Sequence, residues 1–399
     1  MRFRDATIPI QFGWSSPFAR WQTAFADVSS LDLAVQVTRH ALAERDLPAA
    51  ELSRLVFGTT TPQRGGFYAA PSVAARIGAE RITGPTIAQA CATSAVCVET
   101  AGLYADAEPG GLHLVVAADR TSNSPVLTYP SSTAPGGAPE QEHWFFDNIR
   151  LDPWAGKAMI ETAERVAEQG GITREQVDEL TVLRYDQYRS SLADDRAFQR
   201  RWMTPVEVPQ RRTSRGPDVV DSDVGVHDTT AEGLAKLDPV LPGGVVTYGS
   251  QTHPADATAG VLLTGSARAR ELAAGGPVAR VLASGAARVE PAEMPKAPVP
   301  AARRALADAE LTFADVAAVT THNPFAVNDV WFARETGFDV TRMNQRGSSL
   351  IFGHPNGPTG GRLLVELMHT LVDRGGGVGL FTGCAAGDTA AALVIRVDS

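Results

Sequence analysis

Residues 41–59 read ALAERDLPAAELSRLVFGT, and residues 305–323 read ALADAELTFADVAAVTTHN. The two align without a gap as helix, turn, short second helix and strand, at an offset of 305 − 41 = 264. The same offset carries LHLVVAADRT, which starts at 112, onto GGVGLFTGCA, which starts at 376. Two stretches matching at one offset predict two similar βαβαβ-type halves. Around them, residues 31–46 carry apolar side chains at helical spacing, while 54–59, 112–118, 378–382 and 391–396 read as buried strands. Strands interleaved with helices predict a layered α/β fold.

Between the halves the pattern changes. Residues 121–140 (TSNSPVLTYPSSTAPGGAPE) are rich in Pro, Ser, Thr and Gly and read as a long loop. A helix-rich stretch follows, and 209–228 is polar and turn-rich. The expected division is therefore 1–120 plus 243–272 for the first half, an insertion over 121–242, and 273–399 for the second half. Pro-rich 291–300 marks the approach to the second copy of the repeated helix.

Composition narrows the function. The 399 residues include 36 Lys plus Arg and 45 Asp plus Glu, a net charge of 36 − 45 = −9, which argues against a nucleic-acid partner. Hydrophobic residues make up 44% and charged residues 20%, ordinary globular usage. Lys157, Lys236 and Lys296 are the only lysines, so few are available for Schiff-base chemistry. No apolar run approaches the ~20 residues of a membrane span. The N-terminus lacks a signal-peptide core, and three cysteines without a CxxC pair read as reduced thiols, so a cytoplasmic protein without a membrane partner is expected.

Cys91 lies in IAQACATSAVCVETAG, where a strand-like segment meets a helical pattern. A helix N-terminus there would favour a thiolate; a buried core cysteine is the alternative, and the one that suits Cys97. His354 lies in LIFGHPNGPTGGRLLVELMHTL, in a Gly-rich turn before a helix. Since 91 + 264 = 355, Cys91 and His354 occupy nearly matching places in the two halves. Packed about a pseudo-twofold axis, both helix N-termini can point at one site, giving the thiolate–imidazole pairing a nucleophile needs. Cys384, in GLFTGCAAGDTAAALVI, and His322, in VTTHNPFAVND, each follow a strand pattern, where side chains are displayed. The histidines show no spacing for a metal site.

Taken together these blocks resemble the thiolase family over essentially the whole length. Asn344–Arg362 (NQRGSSLIFGHPNGPTGGR) is similar to the glycine-rich block around its catalytic histidine. The Cys91-Ala-Thr-Ser and Cys384-Ala-Ala-Gly runs are similar to its two cysteine blocks. Residues 159–187 resemble the helical part of its inserted loop domain, and 244–264 the segment that holds the pantetheine arm. The resemblance implies the thiolase-like fold, two halves in a layered α-β-α-β-α arrangement with a helical loop-domain insertion.

It further implies reversible Claisen condensation and thiolysis of acyl-CoA thioesters. Cys91 would carry the acyl group, His354 would take its proton, and Cys384 would move the substrate's α-proton. His322 would hold a water, and backbone N–H groups near Cys91 and Ala386 would form an oxyanion hole. Met159, Thr252, Phe325, Ala386 and Gly387 would line the substrate site. Coenzyme A is then substrate or product, no cofactor or metal is required, and a homodimer or homotetramer is expected. The sequence departs from the family at His322-Asn323-Pro324-Phe325, usually Asn-Glu-Ala-Phe, and at Thr252, Ala158, His227 and Ala386. A thiolase-fold retro-aldolase, a ketosynthase-like condensing enzyme and a non-catalytic acyl-CoA-binding subunit are the alternatives. The aromatics Trp144, Phe145 and Phe146 either shape the acyl pocket or form the core of the loop domain.

Overall fold

The repeat seen in the sequence is a repeat of elements. A computed structural model of the chain describes residues 1–209 and 218–398. Nine strands follow one another across the central sheet: β1 (Ala6–Pro9), β2 (Arg54–Gly58), β3 (Thr86–Ile87), β4 (His113–Arg120), β5 (Ala255–Gly265), β6 (Val278–Arg288), β7 (Val316–His322), β8 (Gly377–Ala385) and β9 (Thr389–Val397), and the short strands Gly13–Ser15 and Ala19–Arg20 also pair with β5. The helices that matter here are α1 (Ser30–Ala43), α2 (Thr93–Ala107), α3 (Met159–Gly170), α4 (Arg174–Ser191), α5 (Pro298–Asp308), α6 (Ala326–Thr336) and α7 (Gly357–Asp373).

The offset of 264 holds element by element. Strand β4 begins at 113, and 113 + 264 = 377 is the first residue of β8. Helix α2 begins at 93, and 93 + 264 = 357 is the first residue of α7. Even the short 3-10 turn Ala49–Glu51 recurs at Phe313–Asp315. Pro298 opens α5, a position where its missing N–H costs nothing.

Strand order across the sheet is β7-β8-β9-β6-β1-β5-β4-β2-β3. Outward from the centre, β1–β5 and β5–β4 are antiparallel and β4–β2 is parallel. On the other side β6–β9 and β9–β8 are antiparallel and β8–β7 is parallel. The order is a palindrome about the antiparallel β1–β6 seam, the pairing that a twofold relation between halves produces. Helix α1 packs outside β4 and β5, and α5 packs outside β6, β8 and β9. Helices α2 and α7 lie against each other and touch strands of both halves. The layers therefore run α-β-α-β-α, and every residue of α7 from Gly357 to Leu371 is buried. Helices α2 and α7 can approach closely because a Cβ on Gly360 would sit 3.2 Å from that of Ser94.

Between β4 and β5 the stretch expected to be one long loop contains a hairpin, Val126–Tyr129 paired with Glu140–His143. The apolar, β-prone Val-Leu-Thr-Tyr run was masked by its Pro- and Gly-rich turn, in which Gly136 and Gly137 adopt φ of 68° and 70°. A second small ladder pairs Val206–Val208 with Asp218–Val220. The rest of the turn-rich 209–228 reading, over 210–217, lies outside the described residues.

Candidate active site

Cys91 stands at the mouth of α2, two residues before Thr93. The preceding Ala90 is held at φ 43°, a left-handed conformation that costs a non-glycine residue energy. Thr93 fixes this turn: its hydroxyl donates to Ala90 O at 2.7 Å and accepts from Gln89 N at 2.9 Å. His354 precedes α7 in the other half. Its backbone N donates to His253 O at 2.9 Å. Gly353 has φ +95°, and a Cβ there would lie 2.7 Å from His253 Nε2, so glycine alone fits.

The two N-termini meet as the repeat predicted. His354 Nε2 lies 3.0 Å from Cys91 Sγ, and its Nδ1 lies 2.6 Å from Thr359 Oγ1. The His322 ring stacks on that of His354, centroids 3.9 Å apart at 25°. His322 Nδ1 is 2.9 Å from Ser349 Oγ, while its buried Nε2 has no hydrogen-bond partner. Asn328 Nδ2 donates to Cys384 Sγ at 3.3 Å, and Cys384 is wholly buried. Cys97 is a core residue packed beside Gly58.

Electrostatics corrects one expectation. The helix N-terminus was read as favouring a Cys91 thiolate. Burial of the sulfur instead pushes the Cys91 thiol up to about 12, with Asp119 adding like-charge repulsion. Backbone N–H groups of Ala386 and of Cys91 itself pull the other way. Burial and the adjacent His322 hold His354 well below the usual histidine range, and burial takes His322 down to about 3. Cys384 is raised well above the ordinary thiol value by burial, with Cys91 contributing. The resting site is thus a neutral thiol beside a neutral imidazole: Cys91 S–H donates to Nε2, and Nδ1–H donates to Thr359. At pH 7 a thiol of pKa near 12 is about 10⁻⁵ ionised.

The donor atoms of Cys91, His322 and His354 all lie within 4.8 Å of one another.

Other predicted residues surround this cluster. Ala386 and Gly387 (φ +82°) form the turn between β8 and β9 that presents an N–H to Cys91. Phe325 caps α6, buried, and pairs with Gln251 in an isolated bridge. Thr252 donates its hydroxyl to Ser349 O, leaving its lone pairs for a ligand. Met159 begins α3, half-buried against the central core. Ala158 is the cap of that helix, and exposed His227 meets Arg20.

Asp119, at the end of β4, was missed. Its buried carboxylate accepts from Thr59 Oγ1, Thr60 N, Thr60 Oγ1, Thr61 N and Gly357 N, all between 2.8 and 3.0 Å. Burial lifts it to about 6 against those bonds. It ties the loop after β2 to the N-terminus of α7. Trp144 Nε1 donates to Thr60 O at 2.8 Å, and Phe146 lies edge-on to Trp21, so the loop aromatics rest on this same corner.

The comparisons agree with this geometry. Residues 12–267 match the family model "Thiolase, N-terminal domain" and residues 276–397 match "Thiolase, C-terminal domain". The acetyl-CoA acetyltransferase of Pseudomonas aeruginosa is 30% identical over 386 residues, 95% of this chain and 96% of the relative. The 3-ketoacyl-CoA thiolase of Salmonella paratyphi C is 30% identical over 432 residues, 98% of this chain and 97% of the relative. In structure, the Bacillus anthracis acetyl-CoA acetyltransferase matches with TM-score 0.90 at 25% identity, covering 99% of both chains. The human mitochondrial 3-ketoacyl-CoA thiolase in complex with CoA matches in fold with TM-score 0.90 at 22% identity, covering 100% of both. With its two family domains, its palindromic sheet and its paired Cys91 and His354, the chain belongs to the thiolase family.

Proposed function

We propose that this protein is a thiolase-type acyltransferase, catalysing reversible Claisen condensation and thiolysis of acyl-CoA thioesters through an acyl-Cys91 intermediate. The observation that carries the reading is the 3.0 Å contact between Cys91 Sγ and His354 Nε2, with Cys384 and His322 adjoining. In acylation the Cys91 proton passes to His354 as sulfur attacks the thioester carbonyl. His354 then returns it to the departing CoA thiolate. The oxyanion is met by the N–H groups of Cys91 and Ala386. In the second half, Cys384 takes the α-proton of a second thioester, whose carbanion attacks the acyl group on Cys91; the C–S bond to Cys91 breaks and the departing Cys91 thiolate takes up the proton held by Cys384. The enolate oxygen lies beside His354 and accepts from a water that would be held on the unpartnered Nε2 of His322. Splitting the exchange gives ping-pong kinetics.

Coenzyme A as acyl carrier is supported by the CoA bound to the human relative. Met159, Thr252, Phe325, Ala386 and Gly387 are the residues we assign to its reacting end. The division adopted is 1–120 plus 243–272, an inserted carrier- and acyl-binding segment at 121–242, and 273–399; the family matches on either side of residues 268–275 support it. A homodimer or homotetramer fits Phe67, which is 91% exposed beside a Tyr68 that is 67% exposed, since a pair of bare aromatics is common at interfaces. A cytoplasmic location fits three free cysteines. Among the described residues no helix is long and apolar enough to cross a membrane.

The test is intact mass after mixing wild type and Cys91→Ala with acetyl-CoA, acetoacetyl-CoA and a longer 3-ketoacyl-CoA. An acyl adduct on wild type alone is the expected result, and its mass names the preferred acyl group. Folded wild type that takes an adduct from none of them overturns the reading.

A further inference from the structure

Helix α4 belongs to the segment inserted between β4 and β5, yet one of its side chains reaches the reaction centre's support. Arg184 is fully buried. Its Nε and Nη2 lie 2.9 and 2.8 Å from the same oxygen of Asp329, Oδ2. Its Nη1 donates to Gln187 Oε1 at 2.8 Å and to the carbonyls of Val340 and Met343 at 3.2 and 3.1 Å. Asp329, also fully buried, is held on α6 immediately after Asn328, the residue that donates to Cys384.

The Asp329 carboxylate also grips both neighbours of His322. Thr321 Oγ1 donates to Oδ1, and Asn323 Nδ2 donates to Oδ2 at 2.7 Å. Asn344 Nδ2 adds a bond to Oδ2 at 3.0 Å, and its own Oδ1 accepts from Thr321 N at 2.8 Å. From Asn323 the chain continues through Ser349 Oγ, at 3.3 Å, to His322 Nδ1, at 2.9 Å. One carboxylate therefore holds both chain neighbours of His322, and it stands next in sequence to the residue that contacts Cys384. Among the described residues Arg184 is its one ion-pair partner.

Packing alone does not call for such a pair. Burying two charges is costly, and apolar side chains of similar volume commonly stabilise a core as well or better. What the pair supplies is direction: the planar guanidinium aims Nε–H at Asp329 Oδ2 and Nη1 at Gln187 and the carbonyls of Val340 and Met343, while Nη2 lies near Oδ2 without a hydrogen bond.

We propose that Arg184, acting through Asp329, is a positioning residue for the carbon–carbon step. It holds His322 and the Asn328–Cys384 contact in register, and so couples the seating of the inserted helix to that step and not to Cys91 acylation. The proposal rests on the assignment of Cys384 and His322 to the second half-reaction.

The decisive variant is Arg184→Met with Asp329→Asn, which removes both charges and leaves no buried ion unpaired. Circular dichroism establishes that it folds. Two rates are then measured apart: single-turnover acylation of Cys91 by acetyl-CoA, read by mass, and exchange of acetyl-CoA methyl protons with deuterated water. Acylation is expected within about 3-fold of wild type, and exchange down about 10²-fold, the loss that a displacement near 1 Å produces. Arg184→Lys, which keeps the charge but loses the fork, is expected to lose about tenfold in exchange alone; it carries the test if the double variant does not fold. Equal losses in both rates, or no loss in either, overturn the proposal. Wild type that forms no adduct overturns the functional reading and this proposal together, whereas an adduct with matched losses overturns only the proposal.

Discussion

Cys384→Ala is expected to form the Cys91 acyl adduct at close to the wild-type rate while losing condensation by at least ~10²–10⁴-fold, the range removed with a general acid–base group. The separation follows from the geometry. Cys91 has its own base in His354 at 3.0 Å, so the first half-reaction does not require the second cysteine. Cys384 instead contacts Asn328, on the far wall of the site. Its thiol is raised well above the ordinary value, so in the resting protein it is protonated. That form supplies a proton to the carbanion released in thiolysis; condensation requires it to lose that proton once substrate is in place. Mass spectrometry reports the first step and product formation the second. If acylation fell as far as condensation, Cys384 would belong to both halves and the assignment would be wrong.

His354→Ala has the opposite signature. Acylation is expected to drop ~10²–10⁴-fold at pH 7, again the range for general-base loss. Its pH dependence should also change. In wild type the imidazole, held well below its usual range by burial and by His322, is neutral at pH 7 and above and can accept the thiol proton. Wild-type acylation is therefore expected to be flat from about pH 7 to 9. Without the imidazole, the Cys91 thiol, pushed up to about 12, must ionise into solvent, and the residual rate should climb about tenfold per pH unit. A flat profile in the variant would show that another group takes the proton.

The halves and the Cys–His pair were legible because the repeat is carried by elements of equal length, so that 91 + 264 lands one residue from His354. What escaped were the long-range contacts that the repeat does not mark. Arg184 and Asp329 are 145 residues apart, and an arginine on a helix of polar sequence reads as solvent-facing until the helix is docked. Asp119 looks like the end of an ordinary strand; only the folded chain shows five donors converging on it from two loops. The charge state of Cys91 was misread for a related reason. Position at a helix N-terminus is a local property visible in sequence, whereas enclosure of the sulfur is a property of the assembled halves.

The place of β5 in the sheet sets a timetable for synthesis. It lies between β1 and β4, yet it ends at Gly265, and 265 − 120 = 145 residues separate that point from the end of β4. At about 5–20 residues per second, a ribosome needs roughly 7–29 s to cover them. Throughout that interval the nascent first half has β2 and β4 but not the strand that joins them to β1, so one edge of β4 and both edges of β1 wait in the open. Closing the seam to the second half needs β6 as well, another 288 − 265 = 23 residues. A chain built this way is most exposed to misassociation before its middle is finished, and holdase chaperones that shield strand edges are expected to matter most for its yield in that window.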